Sequence, residues 1–335
     1  MISLFNNSNA FAIDLGTNNT LVYQPRKGII LDEPTSIAFD LKRRAFFNCG
    51  VMSKAMTGKS PQNVEVMQPL SKGAIANLTV AKAYIKEVIR RIASNRFFKP
   101  MIVVSVPSDL NAMERSAVIE AGREGGAKNV MLLKDPFAAA LGSQHAIEYP
   151  EGVLVLDIGA GVSEISLISC NGIVMSKSLR VAGNDIDEMI HDYFKEHKRV
   201  LISQADAETL KKELGDLFVH EEKTMNISVK SMVTRLPETF CASSIDVRNA
   251  MIPIADKIVT LVHSMLAQLP PMFAQDIYDQ GIVLTGGSSM LQGLDRYISE
   301  RLDIRVNAVH NPLQNIILGA GRTLEDNRYA DLLGA

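Results

Sequence analysis

Two short runs of aspartate and glycine share one pattern that could bind a phosphate group. They are Asp14–Asn19, with the sequence Asp-Leu-Gly-Thr-Asn-Asn, and Asp157–Gly161, with the sequence Asp-Ile-Gly-Ala-Gly. Glycine lets backbone N–H groups turn toward an anion, and short hydroxyl or amide side chains add donors. We therefore predict that the phosphate-binding residues are Gly16, Thr17, Asn18, Asn19, Gly159, Ala160 and Gly161.

The aspartates that open these runs, Asp14 and Asp157, would repel a phosphate if nothing lay between them. A divalent cation removes this conflict, because Mg²⁺ keeps part of its water shell while it bridges carboxylates and phosphates. We therefore expect both aspartates to hold Mg²⁺ through water.

A third glycine turn, Thr285-Gly286-Gly287-Ser288, follows an apolar segment and precedes an expected helix start. Backbone N–H groups at such a place suit an anion, so Gly286, Gly287 and Ser288 are predicted to contact the same ligand. An isolated Asp-x-Gly is more often a plain turn. Three glycine turns in this order, at matching separations, favour a phosphate-binding site.

The first two motifs lie in matching sequence surroundings. Apolar residues flank each one and predict strand, tight turn, strand over residues 11–23 and again over 153–168. A second glycine turn, at Gly28 and at Gly172, leads in each copy to a third strand. The repeat predicts a duplicated α/β architecture.

The remaining apolar patterns predict further elements. Helices are expected over residues 79–92, 111–124, 135–142 and 317–328, and strands over 101–106 and 130–133. Asp109 or Asn111 would cap the second of these helices. The mixed segment 32–68 is interpreted as a small insertion. The polar segment 205–244, expected to be helical first and loop-like later, is interpreted as its counterpart.

Composition and charge exclude several classes of protein. The 335 residues suggest two compact halves, at a prior of roughly 150 residues per domain. The apolar share of 47% excludes a disordered chain, and charges interrupt every apolar run before membrane-spanning length.

A net charge of −2 argues against a nucleic-acid partner. Three distant cysteines give neither a disulfide framework nor zinc spacing, which fits a reducing cytoplasm, and the N-terminus lacks a signal-peptide pattern.

The three glycine motifs resemble the phosphate-1, phosphate-2 and adenosine motifs of the actin, Hsp70 and sugar-kinase superfamily. Within it the chain is similar, over essentially its whole length, to bacterial actin, the rod-shape-determining MreB family. The segments that carry the resemblance are residues 14–23, 28–34, 114–115, 121–123, 136–142 and 281–287.

The resemblance implies an actin-like fold, with two RNase H-like halves and small insertions around a nucleotide cleft. It implies subdomains IA (1–31, 68–143 and 315–335), IB (32–67), IIA (144–180 and 245–314) and IIB (181–244). It also implies ATP and Mg²⁺ as cofactors and polymerisation into paired protofilaments that support cell shape. Glu208, Lys211 and Lys212 match the superfamily helix that touches ribose and adenine; their alternative role is a solvated charged face.

The chain departs from the family at two positions thought to hold the attacking water. Where the family has two glutamates before a proline, this chain has Lys134 and Asp135, and where it has two threonines, this chain has Val162 and Ser163. Asp135 is one methylene shorter than glutamate, and Val162 cannot form hydrogen bonds. Because phosphoryl transfer depends on positioning, we expect weak or slow ATP hydrolysis. The alternative is neutral drift with activity retained.

MreB proteins commonly bind the inner membrane, and two apolar segments could do so here. Ile2, Leu4 and Phe5 form an apolar start, while Phe97 and Phe98 lie between two cations. Such clusters can insert at an interface that carries anionic lipid. The alternative is that the two phenylalanines cap the preceding helix. The expected location is the cytoplasm, at the inner face of the membrane.

Two other functions remain open at this point. A sugar or acid kinase of the same fold would need a catalytic carboxylate over a second substrate pocket, and no residue stands out for that role. A chaperone ATPase would need a substrate-binding domain after the last helix. If hydrolysis is slow, filament disassembly would need a partner, such as a paralogous filament protein.

Overall fold

The computed structural model describes residues 9–43, 45–92 and 99–334. The chain divides into two compact units, as its length suggests. The first unit contains Met1–Glu151, Ile168–Val174 and Leu313–Ala335, and the second contains Gly152–Leu167 and Met175–Pro312. The four subdomain boundaries given above remain predictions.

The strands are β1 (Ala10–Leu15), β2 (Asn19–Gln24), β3 (Gly28–Pro34), β4 (Ile37–Asp40), β5 (Ala45–Cys49), β6 (Val64–Met67), β7 (Leu70–Ser71), β8 (Ala74–Ile75), β9 (Met101–Val106), β10 (Asn129–Lys134), β11 (Val153–Ile158), β12 (Ser163–Ser169), β13 (Gly172–Leu179), β14 (Val200–Leu201), β15 (Thr224–Ser231), β16 (Pro237–Ser243), β17 (Ile282–Thr285) and β18 (Val306–Ala308). The α-helices are α1 (Val51–Ala55), α2 (Leu78–Ile92), α3 (Ala112–Glu124), α4 (Asp135–Gly142), α5 (Gly183–Tyr193), α6 (Gln204–Leu214), α7 (Ser244–Leu266), α8 (Ala274–Gln280), α9 (Leu294–Leu302) and α10 (Asn315–Glu325).

The first unit is built on a five-stranded sheet in the order β10-β9-β1-β2-β3. Strands β1, β9 and β10 are parallel, and β2 and β3 continue the sheet in antiparallel pairing. Apolar residues of β1 and β9 pack against α2, whose buried face includes Tyr84, Val88 and Ile89. The cap of α3 is Asn111, whose side chain accepts from Glu114 N at 2.9 Å.

The second unit repeats this sheet, which confirms the predicted duplication. Its strands lie in the order β13-β12-β11-β17-β18, so the hairpin and third strand again stand beside two parallel strands. The core includes Leu156, Ile165 and Ile258 from β11, β12 and α7. The two sheets share this strand order because each begins with the same strand–turn–strand sequence.

Each unit carries an additional small sheet. Segment 32–68 contributes the three-stranded sheet β5-β4-β6, and segment 205–244 contributes α6 and most of the sheet β14-β15-β16. The expectation that the later part of 205–244 is loop-like is wrong, because β15 and β16 form an antiparallel hairpin. Ile227 and Val229 are buried while Ser228 and Lys230 are exposed, a two-residue period that its polar composition concealed.

Two expected helices have different bounds. The last helix, α10, ends at Glu325 rather than Arg328, because Asp326 accepts a hydrogen bond from Arg328 N and starts a 3₁₀ segment. The turn after β17 continues as a four-residue 3₁₀ segment, Gly287–Met290, and α9 begins only at Leu294. The expected helix start directly after this turn is therefore wrong.

In the first unit, α4 and α10 pack backbone to backbone. A Cβ on Gly319 would overlap the carbonyl oxygen of Ala138, and a Cβ on Gly142 would overlap that of Asn315. The Asn315 amide donates to Ala139 O at 2.9 Å, and Arg322 Nη1 donates to Leu141 O at 2.7 Å. Helix α10 thereby satisfies carbonyl groups at the C-terminal end of α4.

Among the described helices, no single one is long and apolar enough to cross a bilayer. Only α7 combined with the segment Pro271–Gln280 reaches that length and composition, and the pair is bent by 110°. The predicted membrane residues Ile2, Leu4, Phe5, Phe97 and Phe98 lie outside the described residues, so that hypothesis remains a prediction.

Candidate functional site

In the first unit, Asp14 lies near the carboxyl end of β1 and beside Ser105 of β9. The Ser105 hydroxyl donates to Asp14 Oδ1 at 3.2 Å. Burial raises the pKa of Asp14 from 3.8 to about 6, and the hydrogen bond from Ser105 opposes that shift. A carboxylate whose charge is so poorly stabilised suits a cation, so Asp14 fits the predicted role in holding Mg²⁺.

The turn after Asp14 closes tightly on itself. Gly16 N donates to Asn19 O at 3.1 Å, and a Cβ at Gly16 would lie 2.8 Å from that oxygen. Thr17 is buried, whereas Asn18 Oδ1 accepts from Gln68 Nε2 at 2.9 Å. The glycine is required by the close backbone approach, as predicted for a phosphate turn.

Helix α4 begins at the same edge of the first-unit sheet. Leu133 of β10 is in register with Ser105, and the helix follows directly with Asp135 and Pro136 as its first residues. Lys134 precedes the helix and is exposed. Because the carboxyl ends of parallel strands share one edge, Asp14, Ser105 and Asp135 belong to one surface, where open α/β sheets bind ligands.

The second unit has an equivalent edge. Asp157 of β11 is in register with Thr285 of β17. Thr285 is fully buried, and its hydroxyl has no hydrogen-bond partner within the described chain. Gly286 follows with φ +86°, and a Cβ there would overlap Asp157 Oδ1 and the carbonyl of Ile158. The turn can therefore hold only glycine against the aspartate.

The turn Gly159–Gly161 is held from one side by its carbonyl groups. Gly159 O accepts from Ser288 Oγ at 2.7 Å and from Gly183 N at 3.2 Å, and Ala160 O accepts from Asn184 N at 2.8 Å. A trans peptide places its N–H opposite its C=O. The N–H groups of Ala160 and Gly161 consequently point away from α5, as donors to an anion would.

The two residues after this turn offer no hydroxyl for a water molecule. Val162 has none, and Ser163 is fully buried with its hydroxyl donating to Val181 O at 2.7 Å. The departure from the family pattern at these positions therefore removes a hydrogen-bonding group rather than moving it one residue along.

The charged residues of α6 separate into two pairs. Lys212 and Glu208 form an exposed i, i+4 pair on the surface. Lys211 points inward, where Nζ lies 2.8 Å from Asp187 Oδ1 and donates to Gly183 O at 2.9 Å. Burial raises the pKa of Asp187, and the Lys211 ammonium opposes this rise. The predicted role of all three α6 residues as nucleotide contacts remains a prediction.

Three residues that take part in these contacts were not predicted from the sequence: Ser105, Gly183 and Asp187. Ser105 had a usable signal, because it is a polar residue near the end of a buried apolar strand. Gly183 and Asp187 had none, since a glycine and an aspartate in a polar helical segment are unremarkable until the fold brings α5 against the turn.

Comparison with known proteins places the chain in a family. The MreB/Mbl protein family model matches residues 8–331. The cell shape-determining protein MreB of Escherichia coli K12 is 34% identical over 325 residues, covering 95% of this chain and 94% of the relative. The cell shape-determining protein Mbl of Bacillus subtilis is 34% identical over 318 residues, covering 94% and 95%.

Solved structures show the same fold. MreB5 of Spiroplasma citri bound to ADP superposes with a TM-score of 0.91 at 30% identity, covering 96% of this chain and 98% of that chain. The MamK double helical filament matches in fold, with a TM-score of 0.79 at 20% identity, covering 95% and 99%. The predicted actin-like fold is confirmed, and the sugar-kinase alternative is not favoured. The chain therefore belongs to the MreB/Mbl family of actin-like, cell shape-determining proteins.

Proposed function

We propose that this chain is a cytoskeletal protein that binds ATP with Mg²⁺ and polymerises into filaments that support cell shape. The observation that carries the proposal is the repeated sheet edge, in which an aspartate precedes a tight glycine turn in each unit. A relative 30% identical, MreB5 of Spiroplasma citri, was solved bound to ADP and also bound to AMPPNP. We extend nucleotide binding from that relative to this chain.

The residues divide into four roles. The N–H groups of Gly16 and Gly159 close their own turns. The remaining backbone N–H groups of the turns at Gly16–Asn19 and Gly159–Gly161 would bind the phosphates, and the turn at Gly286–Ser288 the adenosine. Asp14 and Asp157 would hold Mg²⁺ through water, and the cation would neutralise charge that otherwise opposes phosphate binding. The exposed Glu208 and Lys212 pair would face the ribose and adenine.

Hydrolysis is proposed to be slow. Asp135 has a shorter side chain than the family's glutamate, Val162 has no hydrogen-bonding group, and the Ser163 hydroxyl is engaged by Val181 O. A misplacement of about 1 Å costs roughly 10²-fold in rate, and a lost contact to the attacking water adds to that cost. Filaments would then stay longer in the ATP-bound state.

The test compares the wild type with the Asp135→Glu, Val162→Thr double variant. Binding of ATP and Mg²⁺ is measured first by calorimetry, and phosphate release is then followed at saturating ATP. We expect both proteins to bind and the double variant to release phosphate at least about 10-fold faster. Equal, family-like rates in both proteins would contradict slow hydrolysis, whereas absence of ATP binding in the wild type would contradict the whole proposal.

Assembly is tested separately by sedimentation and electron microscopy with ATP and Mg²⁺. We expect concentration-dependent filaments made of paired protofilaments, and co-sedimentation with paralogous filament proteins where the source cell contains them. An added sugar that accelerates ADP production in the absence of filaments would instead support the kinase alternative.

Membrane contact at the inner face of the cell membrane is also proposed, on sequence alone. Vesicles with anionic lipid should sediment the wild type. A Phe97→Ser, Phe98→Ser variant tests the loop, and a variant without the first eight residues tests Ile2, Leu4 and Phe5. Undiminished binding by either variant would exclude the segment that it alters.

A further inference from the structure

We infer that Lys211 is a positioning residue that holds the phosphate turn Gly159–Gly161 in place through α5, and does not itself bind the nucleotide. This inference rests on the proposed function, because it concerns the same site. It assigns to Lys211 a role different from that of its neighbours on α6.

The contacts of Lys211 are directed into the second unit. Its ammonium donates to Gly183 O at 2.9 Å and forms an ion pair with Asp187, with Nζ 2.8 Å from Oδ1. The side chains of Lys211 and Asp187 are only 15% and 10% exposed. A charge pair this far removed from water is strongly coupled, and loss of one partner leaves the other buried and uncompensated.

Helix α5 carries this restraint to the turn. Gly183, whose carbonyl binds Lys211, donates its own N–H to Gly159 O at 3.2 Å, and Asn184 donates to Ala160 O at 2.8 Å. Ser288 donates to the same Gly159 oxygen, and a Cβ on Gly183 would overlap the Ser288 hydroxyl. The position of α5 therefore fixes two successive peptide groups of the turn.

Helix stability does not explain the pair. A cation beside the first turn of a helix is unfavourable for the helix dipole, which favours anions at that end. Asp187 lies one turn further along the helix and neutralises the Lys211 charge. The helix does not require this pair, since a neutral side chain at each position would avoid burying two charges. What the pair does provide is a fixed link from α6 to the backbone of Gly183.

The adjacent Lys212 supplies a matched control. It lies on the same helix, forms an i, i+4 pair with Glu208 and is 64% exposed. Lys212→Met removes the same charge and the same number of atoms as Lys211→Met without touching α5. Differences between the two variants therefore report on the inward contacts of Lys211.

The test measures binding of ADP, AMPPNP and adenosine to the full chain with Mg²⁺, the last by competition. A positioning role predicts that Lys211→Met weakens ADP and AMPPNP on the order of 10-fold, as loss of supporting contacts does at other sites, and changes adenosine less than about 2-fold. Lys212→Met, which alters a proposed contact to ribose and adenine, should instead weaken ADP, AMPPNP and adenosine to a similar extent. Equal weakening of all three ligands by Lys211→Met, or no weakening, would overturn the inference.

A second variant separates positioning from charge burial. Lys211→Met with Asp187→Asn removes the uncompensated carboxylate, so its melting temperature should return toward that of the wild type. Its affinity for ADP should remain reduced, because the bond to Gly183 O is still missing. Hydrogen exchange of the Gly183 and Asn184 amides, which donate to the turn, should be faster than in the wild type when it is measured without nucleotide. Full recovery of ADP affinity would overturn the inference, whereas a wild type that does not bind ADP would contradict the proposed function itself.

Discussion

The carboxyl edges of the two large sheets have the same plan and different chemistry. Each places an aspartate in register with a hydroxyl residue of the neighbouring parallel strand, Asp14 with Ser105 and Asp157 with Thr285. Ser105 donates to its aspartate, whereas the Thr285 hydroxyl has no partner within the described residues. Duplication therefore preserves the strand order and register, and the side chains around each carboxylate differ.

The backbone after the hydroxyl residue differs as well. In the first unit it is followed by Val106, an ordinary strand residue with a buried side chain. In the second unit it is followed by Gly286, whose φ of +86° brings the chain against Asp157. The second edge thus requires a glycine that the first does not.

The largest effect is expected for Gly286→Ala. The new Cβ would overlap Asp157 Oδ1 and Ile158 O at a backbone conformation that L residues avoid, so we expect a loss of about 3 kcal/mol. Urea unfolding followed by circular dichroism measures it. Gly28→Ala is the control in the first unit, with φ +76° and open space around it, and should cost only about 1 kcal/mol. Equal losses in both variants would contradict the assigned cause.

An intermediate effect is expected for Asp14→Asn in the nucleotide-free protein. Asp14 has a pKa of 3.8 when unfolded and about 6 when folded, so the folded state holds more protons between these values. The stability that Asp14 contributes is therefore present below about pH 4 and lost as pH rises through 6. We expect the variant to melt like the wild type near pH 4 and roughly 2–4 °C higher at pH 7.

The control for this pH dependence is Asp32→Asn, at an exposed carboxylate of β3. Its melting temperature should follow that of the wild type at every pH. A gap between Asp14→Asn and the wild type that stays constant from pH 4 to pH 7 would show that burial of the Asp14 charge is not its source.

The smallest effects should differ between the two units. Ser105→Ala removes the donor to Asp14 and should destabilise the nucleotide-free protein by about 1 kcal/mol. Thr285→Val replaces a buried hydroxyl that lacks a partner with an isosteric methyl, so it should be neutral or stabilise by up to about 1 kcal/mol. Chemical unfolding at pH 7 measures both, and destabilisation of similar size in the two variants would contradict the difference between the edges.

The sheet framework could be predicted because its causes are local. Apolar runs around Asp14 and Asp157, with glycine at the turns, specify strand, turn and strand without reference to the rest of the chain. The hairpin β15–β16 escaped prediction because the segment is mostly polar, and this composition concealed the short alternation that includes Ile227 and Val229. The actin-like family came from the resemblance, and the family model and the similarity to relatives and solved structures confirm it.

The sequence predicts the glycine turns of the site but not the residues that hold these turns in place. Gly159 could be named from its motif, but the donors to its carbonyl come from Gly183 and Ser288, which only tertiary structure brings near. The resemblance groups Lys211 with Lys212, because both match the superfamily helix that touches ribose and adenine. Which of two adjacent lysines points inward depends on helix phase against α5, and a short polar segment shows that phase poorly.

The backbone contact between α4 and α10 has a consequence for how the protein is made. Helix α10 packs on α4 and on β1, and Asn315 follows its partner Ser143 by 172 residues. At a synthesis rate of about 5–20 residues per second, the ribosome needs roughly 10–30 s to reach α10 after α4 has emerged. During that interval the first unit exposes apolar surface, while the second unit, which lies between them in the chain, can already fold. Newborn chains are therefore most exposed to aggregation and to chaperone capture through the unit that is synthesised first.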